Sequence, residues 1–130
     1  MKILLYFWQL PQNLLGLLLV AILRPERKYI MDNGNIIYFA KRMAGGMSLG
    51  KYSIVASYHW RATLEEVLKR DTPRHEAIGH ATQSVYLGWL YLPVIGLQSG
   101  LHAALCMCKT HKYRDMWFEK WADKIAGVER

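Results

Sequence analysis

Two histidines and a glutamate fall within six residues, His75-Glu76-Ala77-Ile78-Gly79-His80, and an acidic pair, Glu119 and Asp123, follows near the C-terminus. These are the residue types of a hydrolytic zinc site. Such a site takes three protein ligands, keeps one position open and needs a carboxylate to accept a proton from water. The chain offers His75, His80 and Glu119 as ligands and Glu76 as the base. Asp123 is suited to orient a ligand histidine through its other ring nitrogen. The cofactor expected is therefore zinc, shared by two stretches far apart in sequence.

The spacing of the histidines departs from the usual pattern. In His-Glu-x-x-His the ligands stand at i and i+4, about 40° apart around a helix, and reach one metal. His75 and His80 stand at i and i+5, about 140° apart in a regular α-helix. A π-bulge would bring them together; such bulges concentrate at functional sites, and Gly79 makes one easier. In a regular helix the pair sharing a face is instead Glu76 and His80, and Glu76 then becomes a ligand. The bland reading is a polar helix start near a membrane, with Glu76 favoured by the helix N-terminus. For Glu119 and Asp123 it is an exposed face interleaved with Lys120 and Lys124. The order of both groups in one short chain favours the metal.

The elements that must position these groups are mostly helical. Thr72 or Asp71 suits the cap of the histidine helix and Pro73 its first turn. The pattern continues through Gln83 to about Leu92, where Pro93 breaks it. Thr63–Arg70 reads as a short helix with Thr63 and Glu66 as a capping box. Arg114–Val128 reads as a last helix with Glu119 and Asp123 on one face and Gly127 as its stop. Between the helices, Asp32-Asn33-Gly34-Asn35 signals a turn. Ile36–Ala40 and Ser48–Ala56, around Gly45-Gly46, read as an antiparallel hairpin. That hairpin either covers the helices or holds a substrate backbone by strand addition. The fold class expected is mainly α with a small antiparallel β-hairpin, α+β.

Hydrophobic residues make up 52% of the 130-residue chain and concentrate in Ile3–Leu23 and Val85–Cys108, a distribution of membrane-associated proteins. The first run would reach about 30 Å as one helix, which predicts a membrane-anchor helix over residues 1–24. Gln9, Pro11, Gln12 and Asn13 interrupt it, and their polar groups require partners, expected from the second run. A cleaved signal peptide is the rival; the polar interruptions and the lack of a small-x-small site before Arg24-Pro25 favour an uncleaved anchor. Residues 25–130 then form a single domain. Within it an apolar helical hairpin is expected over 81–108, folding back at Pro93–Gly96 and keeping the histidines and Glu119 on one side; a full span would separate them.

The net charge is +7, and all but Lys2 of the 17 Lys and Arg residues follow Leu23. This places the body on the cytoplasmic side, with lipid headgroups as partner. No aromatic-plus-basic pattern points to nucleic acid. Cys106 and Cys108 face different sides of any helix, so a disulfide between them is not expected. With His102 and His111 they match no established zinc spacing.

His75-Glu76…Gly79-His80 followed by Glu119-Lys120-Trp121-Ala122-Asp123 resembles the gluzincin zinc metallopeptidases, whose pattern is HExxH then ExxxD. Trp8-Gln9-Leu10-Pro11-Gln12-Asn13-Leu14-Leu15-Gly16, Gly46–Tyr52, Gly79-His80-x-x-Gln83-Ser84, Leu90–Gly96 and Glu119–Asp123 also look like small uncharacterised membrane-associated proteins of gut bacteria and their phages. The His-Glu-x-Gly-His usual there is one residue longer here, which bears on His75 and Glu76 but not on His80, Glu119 or Asp123. The resemblance implies a membrane-associated zinc metallopeptidase acting on a peptide. The alternative is a non-enzymatic membrane or interaction protein with a degenerate or structural metal site.

Overall fold

A computed structural model describes residues 2–43, 45–57, 63–104 and 113–129. Helices α1 (Lys2–Trp8) and α2 (Leu10–Leu23) open the chain, followed by strands β1 (Arg27–Ile30), β2 (Ile36–Ala40), β3 (Gly46–Leu49) and β4 (Tyr52–Ala56). Short helices α3 (Leu64–Leu68) and α4 (Asp71–Arg74) lead into a π-helical segment, His75–His80, and then α5 (Ala81–Leu87). A 3₁₀ turn at Gly88–Leu90, a second π segment at Leu92–Gly96, α6 (Leu97–Ala104) and α7 (Trp117–Ala126) complete it. The molecule is mixed α+β.

The sheet is larger than the expected hairpin and differs in topology. Its order is β1-β2-β4-β3; β1 and β3 pair antiparallel to their neighbours, while β2 and β4 run parallel. Ile36–Ala40 and Tyr52–Ala56 are therefore side by side and parallel rather than the two arms of one hairpin. The antiparallel partner of β4 is β3, joined through Gly50-Lys51 with Gly50 at φ +61°, a conformation glycine adopts without strain. The Asp32–Asn35 turn joins β1 to β2, and its Asn33 side chain accepts from the Asn35 backbone N–H at 2.9 Å.

Both faces of β4 are covered, which is why all five of its residues are buried. Ile37, Phe39 and Val55 pack with Val67 of α3 and Ala77 of the π segment. Each of the Ile, Phe and Val side chains contributes about 1.5–3 kcal/mol on burial. On the opposite face α2 approaches closely: a Cβ at Gly16 would stand 2.9 Å from Tyr52 and 3.1 Å from the Leu49 carbonyl.

The run Ile3–Leu23 is not one helix. α1 and α2 meet at an angle of 86°, and among the described residues no single helix is long and apolar enough to cross a membrane; this bent pair passes by length and composition only. The polar residues at the bend explain the break. Gln9 and Gln12 both donate to Ser84 Oγ at 3.1 Å, and Gln12 also donates to the Gly88 carbonyl at 2.8 Å. Asn13 donates to the Tyr6 carbonyl at 3.0 Å and accepts from the Lys51 backbone at 2.8 Å.

The helix ends also differ in part from expectation. Thr63 and Glu66 form the capping box. Asp71 is already helical and no side chain caps that helix, because Arg70 occupies the cap position. The long helix after the histidines ends at Gly88, whose φ of 52° terminates α5, not at Pro93, which lies inside the second π segment. Where the hairpin was expected over 81–108, the described residues 81–104 run as α5, the 3₁₀ turn, the second π segment and α6. Cys106, Cys108 and His111 lie outside the described residues.

Candidate metal centre

The π segment resolves the five-residue spacing. Its wider winding turns His75 and His80 to one side, with their Nε2 atoms 3.0 Å apart and their rings perpendicular. α7 packs against this segment through a point where only glycine fits: a Cβ on Gly79 would lie 2.5 Å from the Ala122 carbonyl oxygen. That contact brings Glu119, one turn before Ala122, onto the histidines. Glu119 Oε2 is 3.1 Å from His75 Nε2 and Oε1 is 3.2 Å from His80 Nε2. The buried group His75, His80 and Glu119, with one ligand atom from each within 4.8 Å of the others, is able to hold a metal ion.

The outer hydrogen bonds set the tautomers. His75 Nδ1–H donates to Asp123 Oδ1 at 2.6 Å. Gln83 Nε2 donates to the Phe118 carbonyl at 2.7 Å, which leaves Gln83 Oε1 to accept from His80 Nδ1–H at 2.8 Å. With both Nδ1 atoms protonated, each neutral imidazole turns its Nε2 lone pair inward. Two lone pairs and a carboxylate then face one another in a buried space. Only a proton or a cation can occupy it favourably.

In the metal-free protein a proton fills that role. Burial alone would depress the His80 imidazolium, but hydrogen bonding to Glu119 and the Glu76 and Glu119 charges outweigh it and raise its pKa to about 8. Burial would likewise raise Glu119, yet its hydrogen bonds to His75 and His80 hold it well below the usual carboxylate range. A raised histidine pKa contributes stability that is full below its unfolded value of 6.5 and lost as pH rises through about 8. Thermal unfolding of chelator-treated protein should therefore show about 2 kcal/mol of stability lost between those pH values. Metal-loaded protein should show the opposite trend, because the ion competes with that proton.

Glu76 is buried within the π segment and lies against β3: a Cβ on Gly46 would stand 2.5 Å from Glu76 Cγ and 2.9 Å from Oε1. The structure thus brings together His75, His80 and Glu119, attaches Asp123 to His75, and places Glu76 against Gly46 of β3. Residue types alone passed over Gln83 and Tyr113. Gln83 was detectable as an amide three residues after His80 in an apolar run. Tyr113, whose hydroxyl lies 2.7 Å from Ser99 Oγ and feels the Glu119 charge, had no local signal. Burial and the Glu119 charge push the Tyr113 pKa well up, so this hydroxyl stays a donor.

Gly79→Ala tests the close approach of α7. The added methyl meets backbone, which cannot swing aside, so α7 must shift and the ligand set open. Metal affinity is expected to fall by at least about tenfold, at a stability cost of about 1–3 kcal/mol; metal titration against a fluorescent chelator measures the first. No protein-family model, curated protein or solved structure matches this chain.

Proposed function

We propose that this protein is a zinc metallopeptidase working at a membrane surface. The observation that supports it most is the convergence of His75 Nε2, His80 Nε2 and Glu119 as three acceptors whose orientation is set by Asp123 and Gln83. Two imidazole nitrogens and a carboxylate are a hydrolytic zinc donor set, with a fourth position left for water. Around a tetrahedral zinc with bonds of about 2.0–2.1 Å, neighbouring ligand atoms stand about 3.3 Å apart. Here the two histidine nitrogens stand 3.0 Å apart, while one Glu119 oxygen lies 3.1 Å from His75 Nε2 and the other 3.2 Å from His80 Nε2, so the one carboxylate reaches both rings. Zinc held there would supply Lewis acidity and a water acidic near neutral pH.

The chain's own residues supply the rest. Glu76, between the two histidines in sequence, accepts the proton of the attacking water and returns it to the leaving amine. Substrate backbone adds to the outer edge of β3. The Ala56 N–H donates to the Gly45 carbonyl at 2.8 Å, so in this antiparallel pair the Gly46 N–H and C=O turn away from β4. Beyond it the Tyr91 hydroxyl donates to the Ser48 carbonyl at 3.0 Å, which confines an added peptide to the Gly46 end, beside Glu76. Membrane contact is supported by the apolar side chains left exposed on α1, α2 and the turn at Gly88–Leu90, Trp89 among them.

Burial favours a second reading. His75, His80 and Glu119 are 2%, 6% and 4% exposed, as in a structural site where the ion binds α7 to the π segment without turnover. Elemental analysis of protein purified without chelators is expected to give one zinc per chain, and absence of stoichiometric metal overturns both readings. Zinc accompanied by hydrolysis of quenched peptides supports the first. Zinc without it leaves the second.

A further inference from the structure

A cavity of about 430 Å³ lies beneath α1, and its lining includes none of His75, His80 and Glu119. Its roof is one face of the N-terminal segment, Lys2, Leu5, Tyr6 and Gln9, spaced as i, i+3, i+4 and i+7. Thr82, Val85 and Tyr86 form the wall on the α5 side, and the Asn33–Asn35 and Gly50-Lys51 turns close the rest. No residue of α1 is buried. The helix is pinned by its tryptophan end: Trp8 Nε1 donates to the Val85 carbonyl and Trp89 Nε1 to the Phe7 carbonyl, each at 2.9 Å.

The space is half open to solvent, and its size falls within the roughly 300–1,000 Å³ of small-molecule sites. The lining defines its chemistry. Lys2 and Lys51 contribute two cations, and no carboxylate appears among the described lining residues. Asn13, bonded to both the Tyr6 carbonyl and the Lys51 backbone, holds the Lys51 turn to α1. Leu5, Val85 and Tyr86 add apolar surface. The ligand is an anion carrying hydrocarbon. The outer face of α1 indicates its source, since Ile3, Leu4 and Phe7 are 73%, 74% and 58% exposed.

We propose that the cavity binds the headgroup of an anionic phospholipid, with the phosphate at Lys2 and Lys51 and the first acyl carbons against Leu5, Val85 and Tyr86. This rests on the membrane reading above and is independent of the metal. α1 then acts as a clasp over one lipid rather than as an anchor through the bilayer.

Vesicle sedimentation of the full chain tests it, with phosphatidylcholine alone and with phosphatidylglycerol added. The wild type should bind the anionic vesicles about tenfold or more tightly, as two lysines at a lipid surface permit. The Lys2→Glu/Lys51→Glu variant should lose that preference, and so should Thr82→Trp, which fills the cavity without altering charge. A Lys28→Glu/Lys69→Glu variant carries the same charge change elsewhere and should keep most of it. Equal loss in both lysine pairs, or a preference surviving Thr82→Trp, overturns the proposal, because the attraction would then be diffuse. Inorganic phosphate bound by the full chain, with phosphatidylcholine and phosphatidylglycerol vesicles bound equally, also overturns it, in favour of a soluble anion. A wild type that binds neither vesicle overturns it together with the membrane reading, whereas zinc content reports separately on the metal.

Discussion

Glu76→Gln is expected to lower peptide hydrolysis by about 10²–10⁴-fold, the usual contribution of a general base, while leaving zinc content unchanged. The amide preserves the shape of a buried side chain packed against Gly46, so the π segment has no reason to rewind. Among the described residues, the group whose ligand atoms all lie within 4.8 Å of one another is His75, His80 and Glu119. Hydrolysis of a quenched peptide and elemental analysis on the same preparation give both numbers. Zinc lost with activity would make Glu76 a ligand instead, and activity retained would remove it from the chemistry.

Glu119→Ala should have the other large effect, abolishing stoichiometric metal and lowering stability by about 3–5 kcal/mol, the usual result of removing one partner from a buried ion pair. The two histidine Nε2 atoms, 3.0 Å apart, would keep their outer partners Asp123 and Gln83 but lose the acceptor between them. For a chain of this length that corresponds to a melting temperature lower by about 10 °C or more. Lys120→Ala, on an exposed position of the same helix, is the control and should move it little. Chelator-treated wild type separates the metal's share from that of the carboxylate. A Glu119→Ala protein that keeps its ion would dismantle the centre described here.

Much of the local structure was written in residue types. Thr63 and Glu66 announce a capping box because their side chains satisfy backbone groups three residues away. Gly127 ends α7 because it accepts a left-handed φ of 64°. Glu119 and Asp123 share a helix face by simple periodicity, and that places one at the histidines' inner nitrogens and the other at an outer one. The apolar run Ile3–Leu23 was equally visible, as were the polar residues that would need partners.

Contacts between distant segments decided the rest. A five-residue histidine spacing is equally consistent with rings held apart in an α-helix or together in a π-helix. The choice falls to α7 packing on Gly79 and to the bonds that Asp123 and Gln83 make, since winding differences within one turn are small beside those interactions. The β2–β4 pairing is parallel because strand order depends on which neighbours the two faces must be buried against, and local propensity carries no record of that. The 86° bend at Gln9 follows from Ser84 and Gly88, more than seventy residues away, which satisfy the amides an unbroken membrane helix would have left facing lipid.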